Sequence, residues 1–149
     1  MRLIKNGQVL IDNRLEKKDI LIDEGKIIQI DDSILKDCDT VDATGLTVIP
    51  GLVDVHVHFR EPGHSEKETI HTGSLAAAHG GFTSVFAMPN VIPFPDDVDT
   101  MKDYQQLIKK ESVVHTYSYA CITLEEASKE VVDMKGIKEL GVRWFSDDG

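Results

Sequence analysis

Cysteine is scarce. Cys38 and Cys121 stand alone in 149 residues, with no C-x-x-C spacing, which argues against a disulfide framework and against a cysteine-held structural zinc site. They read as ordinary thiols of a reducing compartment. Long apolar runs are missing too. No stretch approaches the roughly 18 to 20 apolar residues of a membrane span, and Met1-Arg2-Leu3-Ile4-Lys5-Asn6 holds no apolar leader segment. A cytoplasmic location with no membrane partner is the expectation. Positive charge is in short supply, since 16 Lys and Arg against 26 Asp and Glu leave a formal net charge of −10. Nucleic-acid affinity rests largely on cations that neutralise phosphates, so no nucleic-acid partner is expected. One or two local cations can still hold a small anion. What is present, 41% hydrophobic and 28% charged residues, describes a folded globular chain.

The first fifty residues alternate short β-like runs with turn signals: Arg2 to Ile4, Asn6-Gly7, Val9 to Ile11, Ile20 to Ile22, Asp23-Glu24-Gly25 and Lys26 to Ile30. They predict a small antiparallel β domain over residues 1–50, the N-terminal part of a β-sandwich, closed by Pro50-Gly51. Beyond it the pattern becomes strand and helix in turn. Leu52 to His58 reads as a strand; Ser65 with Glu68 forms a capping-box pattern before an Ala-rich helix from Thr69 to His79, ended by Gly80-Gly81. Thr83 to Ala87 is the next strand, followed by a Pro-rich loop from Met88 to Pro95 and a helix with Val98, Met101, Leu107 and Ile108 on one face. Val113 to Cys121 is a third strand, Thr123 with Glu126 a second capping-box pattern opening a helix to about Lys138, and Val142 to Phe145 a fourth strand.

Strand starts recur about every thirty residues, the length of a βα unit, which predicts parallel strands joined by right-handed crossovers. No G-x-G-x-x-G or G-x-x-x-x-G-K-[ST] follows the first of these strands, so a nucleotide-binding open sheet has no support. The fold class expected is α/β: residues 51–149 as the first three and a half βα units of a (β/α)8 TIM-type barrel, preceded by the small β domain. A closed barrel needs roughly 250 residues. The chain therefore reads as truncated after barrel strand four.

On a strand, residues two apart share a face, so Asp54, His56, His58 and Arg60 align if the strand extends that far. They sit at its C-terminal end, where the loops of a parallel α/β fold converge. Imidazoles at i and i+2 have Cα atoms about 6.6 Å apart, near enough for both rings to reach one cation. Alone, His-x-His has a bland alternative in rings packed within a core. Four polar residues on one face of a buried strand make that alternative costly unless something pairs them. Asn90 and Asp147-Asp148-Gly149 would separately pass for turn residues. Their interest is position, because each follows a predicted strand. Of the remaining histidines, His71 and His79 fall on a helix outside the barrel, His115 begins a strand, and His64 lies in a loop near the site.

Asp54-Val55-His56-Val57-His58-Phe59-Arg60-Glu61-Pro62-Gly63, Lys67-Glu68-Thr69, Ala76-Ala77-Ala78, Gly80-Gly81-Phe82-Thr83, Met88-Pro89-Asn90 and Asp147-Asp148-Gly149 together resemble the dihydroorotases of the longer bacterial type. D-x-H-x-H alone marks only the amidohydrolase superfamily; H-x-H-x-R-E-P-G joined to M-P-N and D-D-G is far more specific. The resemblance implies a hydrolase with two zinc ions that reversibly converts N-carbamoyl-L-aspartate to L-dihydroorotate in pyrimidine biosynthesis. It further implies His56 and His58 as ligands of the first zinc, Asp148 as the bridge between both, and Arg60 and Asn90 as holders of the substrate carboxylate. Two later histidines and the general acid/base aspartate are expected beyond Gly149, so residues 1–149 alone are expected to be inactive.

Many relatives bridge their metals with a carboxylated lysine at the end of strand four, but Glu139 to Gly149 contains no lysine. A hydantoinase, dihydropyrimidinase or allantoinase-type cyclic amidase is thereby less favoured. Strand alternation does not separate Asp147 from Asp148; only the resemblance selects Asp148. A homodimer and an aspartate transcarbamoylase partner also belong to what it implies, the latter for relatives that act as non-catalytic scaffold subunits and have lost metal ligands, which this chain keeps.

Overall fold

Alternating apolar and polar residues build the first sheet. β1 (Arg2–Ile11) and β2 (Arg14–Asp23) pair antiparallel across Asp12-Asn13, whose φ values of 46° and 63° are both left-handed, as the tight turns of twisted hairpins require. β3 (Lys26–Asp31) joins β2 antiparallel across Glu24-Gly25. The computed structural model describes residues 1–148, which fall into two units, Met1–Pro50 and the residues from Gly51 onward.

Two expectations for the first unit are corrected. Asn6-Gly7 is a bulge inside β1 and not a turn, with the register shifting between Ile4 and Gly7 and Asn6 at φ 63°. The displaced Asn6 amide donates to Asp19 Oδ1 at 2.9 Å, and Asp19 Oδ2 accepts from Ile34 N at 3.0 Å. Burial would raise the Asp19 pKa, but these two amides outweigh it and hold the carboxyl below its usual range. The sheet is also mixed, not wholly antiparallel. β4 (Asp39–Asp42) and β5 (Thr47–Val48) both pair with β1 in parallel, because residues 32–38 carry the chain from β3 back to the far edge of β1. Leu3, Leu21 and Ile34 form the small core of this unit.

In the second unit β6 (Leu52–Val57), β7 (Phe82–Ala87) and β8 (His115–Ser118) form a parallel sheet in that order, with α1 (Ile70–His79) and α2 (Val98–Glu111) as the crossovers. Phe59, Ile70, Val85, Met101, Tyr104 and Ile108 are buried in its core. α2 follows its apolar periodicity, and Asp97 caps it by accepting from the amides of Asp99 and Thr100 at 2.8 Å. α1 begins later than Ser65: Thr69 is its cap and pairs reciprocally with Thr72, while Glu68 accepts from the Thr69 amide and the Thr72 hydroxyl.

The helix predicted from Thr123 to Lys138 is not continuous. A short 3₁₀ turn, Leu124–Glu126, is followed by left-handed backbone at Ser128, and α3 spans only Met134–Glu139. Thr123 does not cap it: its hydroxyl donates to Asp147 at 2.7 Å, and its oxygen accepts from Ser128 N at 2.9 Å instead of from an amide of the first turn. The predicted fourth strand is reduced to one parallel bridge, Ala120 to Phe145, with Ala120 N donating to Trp144 O and Ser146 N to Ala120 O. Among the described residues no helix is long and apolar enough to cross a membrane.

Candidate metal centre

β6 delivers His56 near its end and releases His58 just beyond it. The strand stops at Val57, yet both rings remain on one side, with centroids 5.1 Å apart in an edge-on arrangement. Asp54 does not reach them; its carboxylate accepts from the His56 amide at 3.0 Å. Arg60 leaves the alternation altogether, with φ at 62°, and its carbonyl accepts from His64 N. Among the described residues no hydrogen bond or ion pair ties the Arg60 guanidinium to the cluster. His64 lies 3.7 Å from Glu66, and His71 faces the Glu111 carbonyl on the helical side, both away from the pair.

Asp148 meets the histidines from the fourth strand's end. Its Oδ1 is 3.1 Å from His56 Nε2 and its Oδ2 is 3.8 Å from His58 Nδ1. One ligand atom from each of His56, His58 and Asp148 lies within 4.8 Å of the others. Two imidazoles and a carboxylate suit zinc and similar divalent ions, and three protein ligands are what a catalytic zinc site uses. The donor set therefore fits such an ion.

Asn90 ties the cluster together. Its Nδ2 donates to Asp148 Oδ2 at 2.5 Å, and its Oδ1 lies 3.1 Å from His58 Nδ1. A carboxylate only accepts, so the amide nitrogen must face Asp148 and the amide oxygen His58. Nδ1 of His58 then carries the proton and Nε2 keeps the lone pair by which a neutral imidazole can ligate. The side chain read from sequence as a substrate contact is thus engaged by two candidate metal ligands.

The loops that carry these groups are clamped to each other. Ile92 N donates to Pro62 O and Met88 N to Val57 O, each at 2.9 Å. Gly63, at φ 99°, admits Ile92 so closely that a Cβ there would lie 2.6 Å from the Ile92 Cβ. Glu61 accepts from the Ile70 amide at 2.8 Å and pins the same loop to the start of α1.

Two acidic residues near the centre escape sequence reasoning. Asp147, indistinguishable from Asp148 by pattern, turns the other way and accepts from Ile122 N, Thr123 N and the Thr123 hydroxyl. Burial opposes its ionisation, but those donors prevail and hold its pKa below the usual value. Glu126, read as a helix cap, has a buried Oε1 without a partner among the described residues, and burial followed by the Asp148 and Asp147 charges pushes its pKa up to about 7. Only the repeated acid in Asp147-Asp148 hints at a division of labour; nothing local marks Glu126.

A parallel βα sheet with two histidines and a carboxylate gathered at its strand ends is an α/β arrangement whose C-terminal edge presents donors that could hold a metal ion. The particular family follows from comparison. A model for dihydro-orotase-like proteins matches residues 45–149, and the chain belongs to that family. Curated relatives include the dihydroorotase of Latilactobacillus sakei, 48% identical over 99% of this chain and 36% of that protein, and the dihydroorotase of Bacillus thuringiensis, 45% identical over 99% and 35%. The chain thus spans about a third of the length of the curated relatives it matches. Among solved structures, the L-hydantoinase (dihydropyrimidinase) from Arthrobacter aurescens matches with a TM-score of 0.81 at 22% identity, over 97% of this chain and 32% of that one. The D-hydantoinase (dihydropyrimidinase) from Thermus sp. matches with a TM-score of 0.72 at 26% identity, over 94% and 31%.

Proposed function

We propose that residues 51–149 supply the first portion of a dihydroorotase barrel and active site, with His56 and His58 holding one zinc, Asp148 bridging to a second, and further chain providing the remaining ligands and the acid/base aspartate. The observation that carries this reading is the convergence of Asp148, and not Asp147 or a lysine, on the His56–His58 pair. The substrate class is a small cyclic amide bearing a ring carboxylate, L-dihydroorotate, in equilibrium with N-carbamoyl-L-aspartate.

Bound zinc lowers the pKa of a coordinated water and polarises the amide carbonyl. The residues here orient and select. Asn90 fixes the His58 tautomer from one end and steadies Asp148 from the other. Arg60, two residues beyond His58, offers a planar fork matched to a carboxylate. The clamped Pro62–Ile92 loops keep Arg60 and Asn90 in fixed register, which is how positioning contributes to rate.

The hydantoinase likeness supports a second reading, a cyclic amidase indifferent to a ring carboxylate. Arg60→Gln in the intact zinc-loaded protein separates the two. Dihydroorotate turnover should lose about two orders of magnitude in kcat/KM, the cost of roughly 2 to 3 kcal/mol for a charge-assisted bidentate contact. A zinc-bearing wild-type protein that hydrolyses hydantoin and leaves dihydroorotate untouched would overturn the dihydroorotase reading.

A further inference from the structure

Adjacent carboxylates at the end of the fourth strand have opposite fates. Asp148 faces the histidines; Asp147 faces the segment that follows β8. Three donors converge on Asp147: Ile122 N at 2.7 Å and Thr123 N at 3.0 Å, both on Oδ1, and the Thr123 hydroxyl at 2.7 Å on Oδ2. The segment it grips is itself cross-tied. The Thr123 oxygen accepts from Ser128 N at 2.9 Å, Leu124 N donates to Glu130 O, and Val132 N to Ile122 O. Asp147 is therefore bonded to a closed loop and not to a loose one.

Asp148, one residue on, is left-handed at φ 51°, a conformation that a non-glycine residue keeps only where its surroundings impose it. On the far side its carboxylate is held by Asn90; on the near side its amide donates to Ser146 Oγ at 2.9 Å, and Ser146 N is bonded to Ala120 O. Between these anchors the Asp147 carboxylate bonds the chain to Ile122 and Thr123.

We propose that Asp147 is a positioning residue for the metal centre: by locking the end of the fourth strand to Ile122-Thr123 it holds Asp148 aimed at His56 and His58. The proposal rests on the reading of His56, His58 and Asp148 as metal ligands, but not on the identity of the substrate. Asp147 itself touches neither metal nor substrate. Its loss should show as weakened metal retention, and the loss of a residue that orients a ligand typically costs about 10- to 100-fold in metal affinity.

The test measures zinc release from the full-length, zinc-loaded protein to a colorimetric chelator, alongside steady-state kinetics with and without added zinc. Asp147→Ala should release zinc at least about tenfold faster, with kcat recovered by excess zinc and KM for substrate unchanged. Asp147→Asn keeps one acceptor oxygen for both amides, and its NH₂ can donate to the Thr123 hydroxyl, so it should retain zinc almost as wild type does. Thr123→Val removes the hydroxyl bond to Asp147, and with it the acceptor of Ser128 N, while leaving both amide bonds to Asp147, and should fall between. Folded Asp147→Ala with wild-type zinc retention overturns the proposal. If Asp147→Ala does not fold, Thr123→Val decides, and unaltered zinc release in that variant overturns it. Wild-type protein that binds zinc but does not process dihydroorotate defeats the proposed function while leaving the Asp147 comparison intact; wild-type protein that binds no zinc defeats both.

Discussion

Gly73→Ala sets two physical effects against each other at one site. Gly73 lies in the middle of α1, where glycine costs roughly 1 kcal/mol relative to alanine. Helix propensity alone therefore predicts a gain. The added Cβ, however, would lie 2.5 Å from Cδ1 and 2.7 Å from Cε1 of Phe59, with Glu68 Cγ at 3.3 Å. Ordinary carbon contacts are about 3.5 to 4.0 Å, so the ring must retreat by about 1 Å. Phe59 is 4% exposed and belongs to the core cluster, which leaves the ring little room. Overpacking of this sort costs about 1 to 3 kcal/mol. After the propensity gain, the net expectation is a loss of about 1 kcal/mol, or roughly 5 °C in melting temperature for a unit of this size. Because Phe59 stands between His58 and Arg60, zinc retention should fall with it. Urea and thermal unfolding of the intact protein measure the first effect, chelator competition the second. In a double-mutant cycle with Phe59→Leu, the two substitutions should couple by at least about 1 kcal/mol, since the ring that clashes is gone. A Gly73→Ala protein that melts higher than wild type, with no coupling to Phe59, would refute the reasoning.

Asp19 should matter through its two amide partners. Asp19→Ala leaves the buried Ile34 N–H and the half-buried Asn6 N–H without their acceptor and should destabilise the first unit by about 1 to 3 kcal/mol, read by denaturant titration. Because its folded pKa is depressed, the Asp19 contribution is fully present above the unfolded carboxyl value near about 3.9 and is lost as pH falls through the lower folded value. The stability difference between wild type and Asp19→Ala should therefore shrink only below about pH 4; a difference that vanishes by neutral pH would contradict the assignment. Cys121, buried and with its thiol pushed up first by burial and then by Glu126 and Asp96, should resist iodoacetamide at pH 8 in the folded protein, while half-buried Cys38 reacts first. Peptide mass spectrometry decides, and equal labelling of both would show the packing around Cys121 to be wrong.

Elements whose character is set by their own residues are legible in the sequence. The amphipathic spacing of Met101 and Ile108 implies α2, and the apolar run around Val85 and Ala87, both buried, implies β7, because burial of one face imposes its period on the chain. Tyr104 does not stand out as a core residue, since its hydroxyl marks it as half polar, yet it is buried. Failures cluster where a side chain has several backbone suitors. Ser65 and Glu68 carry the spacing of a capping box, but Thr69 wins the helix terminus; Thr123 and Glu126 carry it too, but the Thr123 hydroxyl donates to Asp147 and its oxygen accepts from Ser128 N. A spacing motif names what a side chain can bond, while the competition among partners is settled by whatever else the fold brings near.

The candidate centre divides along the same line. His56 and His58 are readable from residue type alone, as two imidazoles at alternate strand positions beside the end of a parallel strand, since a strand's period of two is a local property. Which of Asp147 and Asp148 meets them is not, nor is the dual grip of Asn90 on His58 and Asp148, residues 32 and 58 positions away. Those depend on the loop after β8 seizing Asp147, a contact between chain segments that only the packed sheet brings together.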